Sequence, residues 1–81
     1  MLLQEQKVSQ VWAKVIGIDV SEVDADTNFF DLGGTSLMLI ELVDELNTAL
    51  GIETDILTLL EFPTIEDFVS QWNARHSGAA S

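Results

Sequence analysis

The spacing of the large apolar residues is the feature that most restricts how this chain can fold. In residues 3–16 they recur at the i, i+3, i+4, i+7 and i+8 positions of one helix face, namely Val8, Val11, Trp12, Val15 and Ile16. The same spacing returns in residues 36–50, with Leu39, Leu42, Val43, Leu46 and Leu50. No segment alternates apolar and polar residues as a half-buried strand does. The pattern therefore predicts an all-α fold.

Two further helices complete a predicted four-helix bundle. Residues 56–61 predict a short third helix or a 3₁₀ turn, which Pro63 ends. Thr64 is the expected N-cap of the last helix, and Gly17 and Gly51 are the expected stops of the first two. The last helix has Arg75 and His76 in its final turn, and its inner face is Ile65, Phe68, Val69 and Trp72. We expect one domain over residues 1–76 and a flexible tail over residues 77–81.

A long loop, residues 17–35, joins the first and second predicted helices. Loops beyond about 12–15 residues in a small domain usually carry function or structure of their own. Most of this loop is interpreted as a packed crossover of the bundle. Its expected anchors to the core are Val20, Val23, Phe29, Phe30 and Leu32.

Composition excludes several classes of function. Fourteen acidic residues against three basic ones give a net charge of −11, which repels nucleic acid and anionic membranes and attracts basic protein partners. No cysteine is present, so disulfides and thiolate metal sites are excluded, and a cytoplasmic setting fits. No apolar run approaches the ~20 residues of a membrane span. A chain of 81 residues has little room for a catalytic apparatus, and we expect a non-catalytic monomer.

Metal binding and catalysis are not supported by the motifs. Asp24, Asp26 and Asn28 have the spacing of a calcium loop, but Phe29 stands where the turn requires glycine and Thr35 where a glutamate should close the site. We therefore predict no metal site. A nucleophilic serine would need a base, and the sole histidine, His76, lies near the end of the chain. Nucleotide binding is also disfavoured, since no lysine follows the glycine pair.

The most specific segment is residues 29–37, FFDLGGTSL. Its two glycines leave a bare backbone beside the Ser36 hydroxyl at the expected start of the second helix. On propensity alone, an ordinary N-cap is the favoured interpretation of Ser36. A capping box is not formed, because Leu39 stands where a glutamate or glutamine is needed. The placement equally suits a serine exposed for covalent attachment of a phosphate-linked group.

These residues make the chain resemble the phosphopantetheine-dependent carrier proteins, the acyl, peptidyl and aryl carriers. The resemblance covers nearly the whole chain, and residues 61–65, EFPTI, match the family's boundary between its third and fourth helices. It implies the acyl-carrier-protein-like fold and covalent 4′-phosphopantetheine on Ser36, with Gly33, Gly34 and Thr35 as the attachment loop. It also implies that a phosphopantetheinyl transferase supplies the base and the magnesium, and that the arm carries the substrate as a thioester.

The resemblance leaves the pathway open between polyketide and nonribosomal peptide biosynthesis. The implied partners are an adenylation-type or acyltransferase-type loading enzyme and downstream ketosynthase, condensation, tailoring or thioesterase enzymes. Gly33 and Gly34 resemble peptidyl or aryl carriers and some polyketide carriers. Thr35 departs from the aspartate of fatty acid carriers and from the histidine of many peptidyl carriers. The net charge of −11 resembles free-standing carriers, although an excised domain is also possible.

A helical wheel predicts the surface that partner enzymes contact. With the stripe of the second helix turned inward, Glu41 and Glu45 point outward, and Leu37, Met38 and Asp44 lie at the sides or on the outer half. We predict these five residues as the partner-recognition surface, with packing of Leu37 against Leu32 as the alternative. For the chain as a whole, the alternative function is a non-covalent acidic helical adaptor in which Ser36 is only a helix N-cap.

Overall fold

A computed structural model describes residues 2–78 as a bundle of four α-helices. They are α1 (Glu5–Ile16), α2 (Ser36–Leu50), α3 (Ile56–Glu61) and α4 (Ile65–Gly78), with a 3₁₀ turn at Val20–Glu22 in the long loop. Residues 2–78 contain no strand. The all-α prediction, with its short third helix and long connection before α2, is confirmed. None of the described helices is long and apolar enough to span a bilayer.

Helix α1 begins at Glu5 instead of at residue 3, where the apolar spacing places its start. The reason is a pair of hydrogen bonds between Leu3 and the side chain of Asn73 in α4. The Leu3 N–H donates to Oδ1 at 2.8 Å, and Nδ2 donates to the Leu3 carbonyl at 3.2 Å. Gln4 is consequently the N-cap, and its carbonyl accepts the first helical bond from the Val8 N–H.

The predicted helix boundaries are confirmed elsewhere. Gly17 and Gly51 end α1 and α2 in the left-handed conformation, with φ of 86° and 65°. The Thr64 hydroxyl accepts from the Asp67 N–H at 3.1 Å at the start of α4. Asp55 caps α3 by accepting from the Thr58 N–H at 2.8 Å. Helix α4 reaches Gly78, past the expected start of the tail at residue 77, and the remainder of that tail lies outside the described residues.

Helix α1 runs antiparallel to α2 and to α4. Near its C-terminal end, the Lys14 ammonium lies 3.1 Å from the Glu45 carboxylate of α2. At its other end, Lys7 lines a groove together with Leu50 at the C-terminus of α2. The bonds between Leu3 and Asn73 place the start of α1 beside the later half of α4. The N-termini of α2 and α4 therefore lie at the same end of the bundle.

Helix α3 returns along α2 toward that end. Its approach is fixed by Asn47, whose side-chain amide accepts from the Thr54 N–H at 2.8 Å and donates to the Thr54 carbonyl at 3.2 Å. Its exit is fixed at Pro63, whose carbonyl accepts from the Phe29 N–H at 2.8 Å. The α3–α4 junction consequently packs against the end of the long loop, just before α2 begins.

The core is built from the inner faces of α1, α2 and α4, with Leu59 from α3 and one residue of the long loop. That loop residue, Phe29, is fully buried, and the rest of the buried cluster is Val8, Val11, Trp12, Leu39, Leu42, Leu46, Leu59, Ile65, Phe68 and Val69. Val23 and Leu32 pack against this cluster as predicted. Val20 and Phe30 do not: they are 46% and 38% exposed, and their prediction as anchors is wrong. Both lie in short turns, where only one side of the backbone faces the core.

Candidate functional site

The loop before α2 is a series of tight turns built on Asn28 and Phe29. The Asn28 side-chain Oδ1 accepts from the Phe30 N–H at 2.8 Å, and the Asn28 backbone carbonyl accepts from the Asp31 and Leu32 N–H groups at 2.9 and 3.2 Å. The Phe29 carbonyl accepts from the Gly34 N–H at 3.1 Å. An asparagine that bonds to the backbone two residues ahead is a common way to begin a turn. These bonds bring the chain to the N-terminus of α2 in a defined conformation.

Phe29 anchors this loop in the core. Its ring meets the Trp12 ring edge-to-face at a centroid distance of 5.5 Å and an angle of 89°. Its backbone N–H donates to the Pro63 carbonyl at 2.8 Å. Edge-to-face aromatic pairs add about 0.5–1.5 kcal/mol beyond the burial of their area. The loop is thus fixed to α1 through the ring and to the α3–α4 junction through the backbone.

Gly33 makes the reversal that leads from this loop into α2. Its φ is 102°, in the region that residues with a Cβ rarely adopt. Space does not restrict this position, since a Cβ there would meet no atom within 4 Å. The requirement at Gly33 is therefore conformational. Gly34, beside it, has no positive φ.

Thr35 is the N-cap of α2, and the interpretation of Ser36 as the cap is wrong. The Thr35 backbone is extended, with φ of −120° and ψ of 169°, and its Oγ1 accepts from the Met38 N–H at 3.2 Å. Ser36 is the first helical residue and is exposed. Threonine and serine both favour the capping position, so propensity could not decide between adjacent hydroxyls. The Ser36 hydroxyl is left without a capping bond at the helix N-terminus.

The five predicted recognition residues all lie on α2; Leu37, Glu41 and Asp44 are exposed as the wheel predicts, whereas Met38 and Glu45 are more buried. Leu37 is 70% exposed, so the alternative in which it packs against Leu32 is wrong. Glu41 and Asp44 are exposed. Glu45 is half-buried in its pair with Lys14. Met38 is half-buried against the core cluster and not on the open outer half, because helical side chains lean toward the preceding turn.

Sequence reasoning missed a set of exposed apolar side chains close to these residues. Ile40 on α2 is 53% exposed, and Leu57 and Leu60 on α3 are 75% and 51% exposed. Ile40 follows Leu37 by three residues and precedes Asp44 by four, so the wheel already placed it on their face. The composition of α3 could have indicated its exposed side chains, since four of its six residues are Ile56, Leu57, Leu59 and Leu60. Of these four, only Leu59 is fully buried. A helix of that length has no room to bury four such side chains.

The loop with calcium-like spacing is used for internal contacts. The Ala25 carbonyl accepts from the Glu66 N–H of α4 at 2.9 Å, and the Asp24 carbonyl accepts from the Thr27 N–H at 3.2 Å. The Asn28 side chain bonds to the Phe30 N–H. Within residues 2–78, no three histidine, cysteine or acidic side chains are grouped so that they could hold a metal ion.

His76, Asp55 and Asp19 make contacts with other parts of the chain. The His76 ring stacks on Trp72 at 3.8 Å, in the last turn of α4. The backbone N–H of Thr58 donates to Asp55 and lowers the pKa of that carboxyl, with smaller contributions from the Thr58 hydroxyl and Arg75. The backbone N–H of Ser21 lowers the pKa of Asp19 in the same way. A groove of about 320 Å³ at the C-terminal end of α2 is lined by Leu2, Leu3, Gln4, Lys7, Ala49 and Leu50.

Comparison with known proteins agrees with this geometry. Residues 6–71 match the family described as "Phosphopantetheine attachment site". A nonribosomal peptide synthetase of Metarhizium robertsii is 39% identical over 67 residues, 83% of this chain and 1% of the synthetase. One of the mycosubtilin synthase polypeptides of Bacillus subtilis is 39% identical over 64 residues, 79% of this chain and 2% of that polypeptide. The chain thus spans a very small part of these relatives.

A solved structure shares the fold over most of its length. It is a type-II acyl carrier protein of Streptomyces verticillus involved in bleomycin biosynthesis, with a TM-score of 0.77 and 27% identity. The match covers 88% of this chain and 83% of that one. The family match over residues 6–71 agrees with the exposed serine at the start of α2 and with the two glycines before it. The chain belongs to the phosphopantetheine attachment family of carrier domains, which hold 4′-phosphopantetheine covalently on a serine and are generally not catalysts.

Proposed function

We propose that this chain carries an acyl, aminoacyl or aryl intermediate as a thioester on a 4′-phosphopantetheine arm attached to Ser36. The observation that supports Ser36 is its position as the exposed first residue of α2, with the helix already capped by Thr35. Gly33 and Gly34 add no side chain beside the hydroxyl. A transferase can therefore approach the serine oxygen without displacing a capping bond or a bulky neighbour.

Attachment requires chemistry that the chain does not supply. The Ser36 oxygen attacks the phosphorus of coenzyme A that bears the pantetheine, the bond to the other phosphate breaks, and adenosine 3′,5′-bisphosphate leaves. The proton of Ser36 passes to a base, which we assign to the phosphopantetheinyl transferase together with the magnesium ion. His76, the one histidine of the chain, lies in the last turn of α4, whereas the N-terminus of α4 is the end that lies near Ser36. Once attached, the group supplies the thiol that forms the thioester.

We propose that partner enzymes dock on a surface formed by the outward side of α2 and α3. We define this docking face as Leu37, Ile40, Glu41, Asp44, Leu57 and Leu60, with Met38 and Glu45 at its edge. Its apolar side chains are scattered among acids, in a chain with a net charge of −11. An apolar centre with a charged rim is typical of surfaces that bind several partners in turn.

The proposed partners are a phosphopantetheinyl transferase, a loading enzyme of adenylation or acyltransferase type, and downstream ketosynthase, condensation, tailoring or thioesterase enzymes. The similarity to nonribosomal peptide synthetases supports secondary-metabolite biosynthesis as the setting. The proposal includes a monomer that catalyses no step itself. It also includes a cytoplasmic location, which suits a chain with no cysteine for disulfide bonds.

The decisive experiment incubates the protein with coenzyme A and a promiscuous phosphopantetheinyl transferase and measures intact mass. The parent should gain the mass of one phosphopantetheine, and Ser36→Ala should gain none. Thr35→Ser is the matched control, because it keeps the cap and the attachment serine and should be modified at Ser36 alone. An unmodified parent would favour the non-covalent adaptor. A modified Ser36→Ala variant would show that another residue is the attachment site.

A further inference from the structure

The two adjacent glycines before Ser36 are required for different physical reasons. A Cβ on Gly33 would meet nothing within 4 Å. A Cβ on Gly34 would overlap the ring of Phe29, nearest to Cε2 and at 2.5 Å from Cδ2 and 2.7 Å from Cζ. Real Cβ atoms essentially never approach other heavy atoms so closely. Gly34 is therefore required because its Cα lies directly against an aromatic ring.

The Phe29 ring is fully buried and packs against two other aromatic rings. Phe29 is 0% exposed, and its ring meets Trp12 on one side and Phe30 on another, at centroid distances of 5.5 and 5.6 Å. Its backbone is held by Pro63 at 2.8 Å and by Gly34 at 3.1 Å. Protein interiors are close-packed, so a methyl group placed against this ring forces atoms to shift. We expect the backbone of residue 34 to move, because the residues on both sides of it are exposed whereas the ring is buried.

That backbone is two residues from the attachment serine. We propose that Phe29 and Gly34 are positioning residues, whose contact sets where the Ser36 hydroxyl stands when the transferase binds. This inference depends on the proposed attachment at Ser36. The docking face on α2 and α3 does not include either residue. Loss of the contact should therefore affect the reaction step more than the binding of the transferase.

The test measures kcat and KM for modification of Ser36, using a mass-based rate for each molecule of folded protein. A misplacement of about 1 Å can slow an enzymatic step by about 100-fold. We expect Gly34→Ala to lower kcat by about 10- to 100-fold with KM nearly unchanged. The matched control is Gly51→Ala at the far end of α2. Gly51 has a φ of 65°, and a Cβ there would meet nothing within 4 Å. Gly51→Ala should therefore lower stability through backbone strain and leave kcat unchanged.

A compensating variant separates positioning from a general loss of stability. Phe29→Leu removes the outer ring atoms that a Cβ at position 34 would meet. Alone, it should lower stability and kcat, because the loop loses its support. The double variant Phe29→Leu with Gly34→Ala should regain at least several-fold of the kcat lost in Gly34→Ala. If the contact mattered for stability alone, the double variant would be less stable than either single variant and no faster.

The outcomes distinguish this inference from the proposed function. If the parent gains no phosphopantetheine, attachment itself fails. If the parent is modified and folded Gly34→Ala reacts with the parental kcat, attachment stands and positioning is overturned. If Gly34→Ala does not fold, the comparison moves to Phe29→Leu, whose folded molecules must react more slowly than the parent. An unchanged kcat in Phe29→Leu overturns the inference in that case.

Discussion

The Oγ1 of Thr35 accepts a hydrogen bond of 3.2 Å from the backbone N–H of Met38, so Thr35 caps α2, and Ser36, the proposed attachment residue beside it, does not. The two hydroxyls at positions 35 and 36 therefore have separate roles. One satisfies a backbone donor at the helix terminus, and the other is left available for modification.

This division predicts unequal effects of two alanine substitutions on stability. Thr35→Ala should lower the free energy of unfolding by about 1 kcal/mol, because a helix N-cap is lost. Thr35→Ser should retain most of it. Ser36→Ala should change it by less than about 0.5 kcal/mol, as expected for an exposed residue. Urea denaturation of the three variants measures this, and a larger loss for Ser36→Ala than for Thr35→Ala would contradict the capping assignment.

Acidic side chains on α2 should speed the encounter with basic partners. Reversing Glu41 and Asp44 together to lysine should slow modification by a transferase several-fold at low ionic strength, and the difference should shrink as salt is added. Glu45 is left unchanged, because its pair with Lys14 contributes to the contact between α1 and α2. The control reverses Glu5 and Glu53, exposed acids outside the docking face. Equal slowing by both double reversals would assign the effect to net charge alone.

Alanine substitutions of Leu37 and Met38 should differ in their effect on stability, although both should weaken recognition by partner enzymes. Leu37→Ala should change the free energy of unfolding by less than about 0.5 kcal/mol, since the side chain is 70% exposed. Met38→Ala should cost more, about 1–2 kcal/mol, because the side chain packs partly against the core.

The same two variants test the docking face. Each should lower the rate of loading or transfer several-fold for folded protein, as expected for an interface contact of ~1 kcal/mol. Leu2→Ala, at the other end of the bundle and 55% exposed, is the control that should leave the rate unchanged. A parental rate for folded Met38→Ala would make Met38 a packing residue only.

Acid should remove the contribution of Asp55 to the stability of α3. Its pKa is lowered in the folded protein, chiefly by the backbone N–H of Thr58, so the ionised carboxylate stabilises the fold above its unfolded pKa of about 3.9. That stabilisation should disappear as the pH falls through the lower folded pKa.

The measurement is the difference in Tm between the parent and Asp55→Asn. Asparagine also caps helices but carries no charge, so the parent should be more stable at neutral pH and lose that advantage below a pH of about 4. Asp26→Asn is the matched control, because it removes the same charge without removing a helix cap. An advantage that persists unchanged at the lowest pH would contradict the role of the ionised carboxylate.

The sequence predicted the features that are determined within a single helix. It indicated the buried faces of α1, α2 and α4 and the glycine stops, because periodicity and φ requirements are local. It did not predict the features that are determined by contacts between residues distant in the sequence. The start of α1 is decided by Asn73, and the partial burial of Met38 by its packing against the core cluster. Assigning the cap to Thr35 required the backbone conformation, since adjacent threonine and serine have similar propensities.

The sequence motif of the proposed attachment site could be recognised, but the conformation of its loop could not be predicted. The glycine pair and Ser36 were identifiable from residues 29–37. The contact between Gly34 and Phe29 was not, because a short turn can be closed in several ways and only the hydrogen bonds of Asn28 and Phe29 select one. The exposed side chains of α3 were visible only as an excess of leucine and isoleucine in a short helix.

The two hydrogen bonds between Leu3 and Asn73 hold the first and last parts of the described domain beside each other. They do so near the C-terminus of α2, about 20 Å along that helix from Ser36, at 1.5 Å per residue. Any polypeptide continuing from either side would thus join the carrier at the end remote from its cargo. An arm on Ser36 would then project from the opposite end of the domain to these connections.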